Sequence, residues 1–239
     1  MSLSSKVIYS VLACAFISVA SLAEVTALPQ SHFILNRGDY VIGYDGRTRA
    51  AAWVIEELTR ESISGDAERA GISFKPDVGL PVQARATLED YKGSGFDRGH
   101  MAAAANHKSV EAMKATFILS NAAPQLPQLN RGFWARLEKH VRELTNKYGK
   151  VTVITGPLFL PNTNDKGERW VRYRVIGNND VAVPTHFFKI VKAEELIEAY
   201  VVPNMEVAND ASSDNFRATV EKIESLSGGM FSDFLKQKR

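Results

Sequence analysis

Residues 130–148 constrain the fold most, because their pattern admits little except one amphipathic helix. Phe133, Trp134, Leu137, Val141, Leu144 and Tyr148 recur at helical spacing and form one apolar stripe, with Arg136, Lys139, Arg142 and Glu143 largely opposite. Asn130 stands where an N-cap residue would, and Gly149 supplies the stop. Such a stripe must be laid against something apolar. The rest of the chain offers mostly strands: residues 39–45, 116–120, 151–155, 172–176, 181–191 and 196–202 are short runs rich in β-formers, bounded by Gly, Pro, Asn and Asp. Two further helices are expected, over 50–60 and 213–227, while 62–79 reads as loop and 162–167 as a turn. Strands without regularly intervening helices imply an α+β domain: a mainly antiparallel central sheet flanked by helices.

The 239 residues are 45% hydrophobic, enough for one domain with a full core, and the formal net charge is only +2. Bulk charge therefore announces no polyanionic partner, and any basic surface has to be local. The N-terminus is a separate matter. Lys6 precedes the apolar run 7–20, and Ser21-Leu22-Ala23 offers small residues at a cleavage site. This is the layout of a secretory signal peptide over 1–23, with an apolar core short for a membrane span; an uncleaved anchor is the alternative. A secreted or periplasmic location follows as an expectation, with the domain over 24–239 and no stable membrane association after cleavage. Cleavage there also removes Cys14, the only cysteine, and with it any disulfide.

The chemistry concentrates in residues 93–106, Gly-Ser-Gly-Phe-Asp-Arg-Gly-His-Met-Ala-Ala-Ala-Ala-Asn. Arg98 is a permanent cation with a fork suited to phosphate oxygens, and His100 can accept a proton near neutral pH. Gly95 and Gly99 allow a sharp bend or the close approach of a bulky anion. A structural histidine beside a salt-bridged Asp97–Arg98 pair accounts for the same letters. Further along, Asn121, Asn130 and Glu138 offer hard oxygen donors of the kind Mg²⁺ prefers. Asn130 and Glu138 are eight residues apart, a helical rise of about 12 Å, so they cannot both clasp one ion directly; one ligand plus a carboxylate on the ion's water is the workable version. The blander alternatives are an N-cap role for Asn130 and an i,i+4 pair of Glu138 with Arg142. His186 reads as a core histidine, and His107 and His140 as surface or packing residues.

Taken together, Asp97-Arg-Gly-His100, Ser120-Asn121, Leu129-Asn-Arg-Gly-Phe-Trp134 and Leu137-Glu138 resemble the DNA/RNA non-specific endonuclease family, built on a ββα-metal (His-Me finger) motif. Residues 155–161, 175–178 and 182–189 look in particular like its endonuclease G branch, and the likeness runs over about 39–228. The resemblance implies a metal-dependent, sugar-non-specific endonuclease acting on DNA and RNA. It implies His100 as the general base, Asn130 as the sole direct protein ligand of Mg²⁺ (Mn²⁺ as a substitute), and Glu138 on the ion's water shell. Asn121 supports the site, Arg98 organises it or balances phosphate charge, and an upstream cation stabilises the transition state. Arg69 matches that cation, with Lys75 competing. Lys92, Lys108, Arg131 and Arg136 are candidate phosphate contacts, and relatives are often homodimers.

Overall fold

Why the apolar stripe of the long helix can be buried becomes clear from the sheet beneath it. In a computed structural model of the chain, residues 31–236 are described; the N-terminal apolar run and its expected cleavage site lie outside them. The chain first forms β1 (His32–Asn36), β2 (Tyr40–Asp45) and β3 (Ala50–Thr59), each antiparallel to the next. The helix expected over 50–60 is thus a strand. Val54 and Leu58 fit helical spacing, but Val54, Glu56 and Leu58 also share one face at period two, and all three are fully buried. Pairing on both sides, with β2 and with a later strand, overrides the local pattern.

The chain then leaves the sheet. A long excursion carries the short helix α1 (Leu88–Tyr91), strand β4 (Asp97–His100), helix α2 (Val110–Thr116) and strand β5 (Ala122–Gln125). β4 and β5 form their own antiparallel pair, with Asp97 opposite Gln125 and His100 opposite Ala122. The strand expected over 116–120 therefore lies later, at 122–125, after a tight turn over Leu119–Asn121. Pro124 sits within it, as the two-stranded ribbon leaves one side without a ladder to donate to.

Directly after β5, Pro127 opens a helical turn, Asn130–Trp134 forms one wide turn, and α3 (Ala135–Tyr148) follows. Asn130 is accordingly not an N-cap: it has helical angles (φ −57°, ψ −48°) inside the segment. Gly132 departs from them (φ −105°, ψ −105°) and creates the wide turn. Gly149 ends α3 at φ 86° as expected.

The chain returns to the sheet with β6 (Lys150–Leu158), β7 (His186–Ala193) and β8 (Leu196–Pro203), giving the order β1-β2-β3-β6-β7-β8. β6 runs through Gly156-Pro157 rather than stopping there. The single strand expected over 181–191 is broken after Val181–Ala182, and that over 172–176 is regular only at Val175–Ile176. The helix expected over 213–227 is regular only as α4 (Val220–Ser227), joined by α5 (Phe231–Lys236). Alternate residues of the central strands serve two layers. Leu58, Val151, Val153 and Val191 pack with Val141 and Leu144 of α3, whereas Ile154, Phe188 and Ile190 pack with Ile223, Phe231 and Leu235. The described residues form one compact unit of α+β class, and no described helix is long and apolar enough to cross a membrane.

Candidate active site

The β4–β5 ribbon and the segment leading into α3 together make a strand–strand–helix unit, and His100 ends its first strand. Gly99 makes the ribbon close: a Cβ there would lie 2.7 Å from Gln125 Cβ, so the space is already filled by Gln125 and is not an opening for an anion. Gly95 supplies the bend ahead of it, with φ 85°. After His100 the backbone is pinned by Asn121, which is fully buried. Its Oδ1 accepts from the Ala102 N–H (2.9 Å), and its Nδ2 donates to the carbonyls of Ala102 and Thr116 (both 3.0 Å). That amide is fully committed to the chain, so Asn121 shapes the loop behind His100 and has no donor left for a substrate.

The His100 ring is 8% exposed and wedged between two aromatic rings, Phe74 at 4.6 Å and Phe117 at 4.8 Å between centroids. Its Nε2 is buried without a hydrogen-bond partner among the described residues. Packing orients the imidazole. The same two rings carry the cations: Arg98 lies over Phe74 (5.4 Å) and Arg69 over Phe117 (5.6 Å). Burial, then Arg69, His107 and Arg98, push the His100 pKa down to about 3.

A cleft of 620 Å³ is lined by His100, Arg98, Arg69, Asn130 and Glu138, together with Lys108 and Arg131. Lys75 is not among the residues lining this cleft, although its backbone is bonded to Phe117 and Leu119. The Asp97–Arg98 pair of the structural alternative is absent from the site. Asp97 instead takes two bonds from Arg131 (Nε 2.8 Å, Nη2 2.7 Å) and one from Asn130 Nδ2 (2.9 Å). Burial works to raise the Asp97 pKa, but these bonds outweigh it and hold the carboxyl below its ordinary value. Of the four cations considered for phosphate, Arg131 is thereby engaged, Lys108 donates to the Ala67 carbonyl (2.8 Å), Arg136 to that of Ala211 (3.1 Å), and Lys92 pairs with Glu89 (3.3 Å).

Glu138 does not close an i,i+4 pair with Arg142, which turns to Asn106 Oδ1 (3.3 Å). Burial raises the Glu138 pKa to about 7, against the lowering pull of Lys189 and Arg142. Lys189 escaped the sequence reading. It is 2% exposed on β7, donates to Thr155 Oγ1 (2.6 Å) and lies over the Trp134 ring (4.9 Å); burial lowers its pKa. A lysine interrupting the apolar run 187–191 was the available signal. Glu56 was missed too: it is wholly buried and meets Asn106 Nδ2 (3.2 Å) and His107 Nε2 (3.1 Å), so His107 is a core residue. His140 sits apart, paired with Glu198 (2.8 Å), and His186 is half-buried against Thr185 (3.1 Å).

A recessed imidazole flanked by arginines, facing hard oxygen donors across one cleft, defines a nuclease of the ββα-metal class. The chain belongs to the DNA/RNA non-specific endonuclease family, whose family model matches residues 19–238. It is 48% identical over 210 residues to mitochondrial endonuclease G of Bos taurus and of Homo sapiens, covering 85% of this chain and 70% and 71% of those proteins. It is 42% identical over 201 residues to the mitochondrial nuclease EXOG of Xenopus laevis, covering 81% of this chain and 56% of that one. Among solved structures it is similar to endonuclease G in a complex described as that of EndoG with EndoGI, with TM-score 0.82, 41% identity, and 89% and 90% of the two chains covered. The protein is thus a nuclease, a phosphodiester hydrolase.

These relatives correct the expected location. They are named as mitochondrial enzymes, which points to mitochondria and overturns the secretory signal and the secreted or periplasmic assignment. That assignment rested on Lys6, the apolar run 7–20 and the small residues at 21–23, a local pattern at the N-terminus that lies outside the described residues. The family's nucleases are metal dependent. Among the described residues no cluster of three or more His, Cys, Asp or Glu is placed to hold a metal, so an ion here would meet a few hard oxygens rather than a full cage of such side chains. Asn130 and Glu138 on one cleft fit that donor set, which suits a cation that keeps most of its water.

Proposed function

We propose that this single nuclease domain cuts both DNA and RNA by hydrolysing backbone phosphodiesters, with His100 as general base and Mg²⁺ on Asn130. The gathering of His100, Asn130, Glu138, Arg69 and Arg98 around one cleft carries this reading. Bound, the ion supplies positive charge to the phosphate and the leaving oxygen. Asn130 would hold it directly, and Glu138 would accept from its water.

The remaining work falls to the chain. With its pKa near 3 the imidazole stays neutral throughout the physiological range and is free to take a proton from the attacking water. So low a pKa also makes it a weak base in the empty cleft. Two of the charges that depress it are the arginines stacked beside it, and an entering phosphate counters both. That part of the depression is relieved as substrate arrives, while the larger part, from burial, stays. Arg69, rather than Lys75, is the cation that meets the developing charge, and Arg98 holds the phosphate or the Phe74 ring. Asn121 keeps the loop after His100 in register. Nothing in this division of labour reads a base or a 2′-hydroxyl, which accords with cleavage of both nucleic acids.

Plasmid DNA and RNA cleavage with Mg²⁺, with EDTA, and with His100→Ala tests the reading. Metal-dependent loss of both substrates, abolished by the substitution, is expected. Full activity in EDTA or in His100→Ala overturns it. Light scattering on the purified chain tests the homodimer that the family resemblance implies.

A further inference from the structure

An asparagine is a metal ligand only through its carbonyl oxygen. Its other head is an NH₂ group that would repel a cation, and the two exchange places by rotation of one side-chain torsion. Something must choose. In this chain the choice is made by a carboxylate that can accept hydrogen bonds but has none to donate.

We propose that Asp97, clamped by Arg131, is the positioning residue that fixes the Asn130 side chain with its Oδ1 turned toward the metal position. Asn130 Nδ2 lies 2.9 Å from Asp97 Oδ2. Reversing the amide would set two acceptor oxygens against each other, so the contact itself assigns nitrogen to Asp97 and oxygen to the cleft that Asn130 lines. Arg131 removes the second freedom, that of Asp97. Its Nε bonds the same Oδ2 at 2.8 Å and its Nη2 the other oxygen at 2.7 Å, a two-pronged grip that fixes the carboxylate plane.

The fold makes this possible by two devices. Asp97 is the first residue of β4 and pairs with Gln125, the last of β5, so it stands beside the chain just before the helical segment begins. The wide turn over Asn130–Trp134, opened at Gly132, then carries Asn130 and Arg131 past it. In this arrangement Asp97 and Arg131 would act through Asn130, their polar groups being spent on one another and on its amide. Partners of this kind typically change metal affinity about 10- to 100-fold when removed.

The inference rests on Asn130 being the ligand, and the experiment separates the two. Mn²⁺ is titrated into the full chain without nucleic acid, and free Mn²⁺ is read by electron paramagnetic resonance. Asp97→Asn can donate to the Asn130 oxygen and so releases the choice; its Mn²⁺ dissociation constant is expected to rise about tenfold or more. Arg131→Gln, at an exposed side chain whose change spares the fold, is expected to weaken binding in the same direction by a smaller factor. Cleavage by Asp97→Asn is expected to recover toward the wild-type kcat at saturating Mn²⁺, because a positioning residue changes occupancy rather than the reacting groups. Wild-type Mn²⁺ affinity in both variants overturns the inference. Wild-type Mn²⁺ affinity in Asn130→Ala instead overturns the assignment of Asn130 as ligand.

Discussion

A histidine sealed between two phenylalanines should leave its mark on the stability of the metal-free protein, and the size of that mark follows from the structure. The His100 pKa falls from 6.5 in the unfolded chain to about 3 in the native one, burial being the main cause and the two arginines adding to it. Between those values the unfolded chain binds a proton that the native state refuses. Stability conferred by the neutral ring is therefore complete above the unfolded pKa and is lost as pH falls toward the native one. From about pH 7 to about pH 5 the loss from this group alone is about 2 kcal/mol, and it approaches about 5 kcal/mol below the native pKa. Other groups titrate in the same window, Glu138 with the opposite sign, so the measurement is a difference between proteins. Urea unfolding of wild type and His100→Asn in EDTA at the two pH values isolates the ring. The wild type is expected to lose about 2 kcal/mol more than the variant on acidification. A difference below about 0.5 kcal/mol would mean that the imidazole is solvated or protonated in the native cleft, and the account of His100 as a recessed neutral base would fall.

Three further outcomes are expected. Gly99→Ala must displace Gln125 across the β4–β5 ribbon, and should cost about 1–3 kcal/mol by urea unfolding; an unchanged midpoint would show the ribbon to be looser than its close approach indicates. Arg69→Gln should lower kcat about 100-fold or more, the scale of losing one charge-stabilising donor, while Lys75→Gln should leave it within about twofold; the reverse order would reassign the upstream cation. Glu138 has a pKa near 7, so protonation as pH falls should give metal-limited cleavage an acidic limb there, and Lys189→Met, which removes a charge that lowers this pKa, should move the limb up by roughly one unit. A limb that stays put in Lys189→Met would show that Lys189 does not act on Glu138.

How much of this was legible depended on whether neighbours in sequence or in space decide a residue's state. The helix at 135–148 declared itself because its stripe and its terminal glycine are local, and both survive in the fold. Residues 50–59 did not, since Val54 and Leu58 satisfy two periods and only the flanking strands choose between them. His100, Arg98, Asn130, Glu138 and Arg69 were named from spacing and resemblance, and they line one cleft. Their partners were not foreseeable in the same way. Asp97 stood next to Arg98 in sequence, yet β4 directs it to Arg131, thirty-four positions away. Lys108, Arg131 and Arg136 looked like free cations because letters do not show which carbonyl or carboxylate a long side chain will find.

The buried charges beneath the helix explain why the missed residues matter. The sheet face under α3 holds Val54, Leu58, Val153 and Val191, an apolar surface that would be most stable if it continued unbroken. It is interrupted by Glu56, wholly buried, and by Lys189, nearly so. Isolated charges at such depth are costly, and the usual remedy is a close ion pair. Here the remedy is distributed: Glu56 takes hydrogen bonds from Asn106 and His107, and Lys189 gives one to Thr155 and stacks on Trp134. Both charges reach Glu138 electrostatically, with opposite sign. Stability alone would favour leucine at these places. The arrangement makes sense once Glu138 must carry charge in a half-buried cleft, because the lysine beneath it favours the carboxylate, and Glu56 opposes the burial that lowers the lysine's own pKa. The cost of two buried charges thus sits in the sheet, and its benefit appears on the helix above.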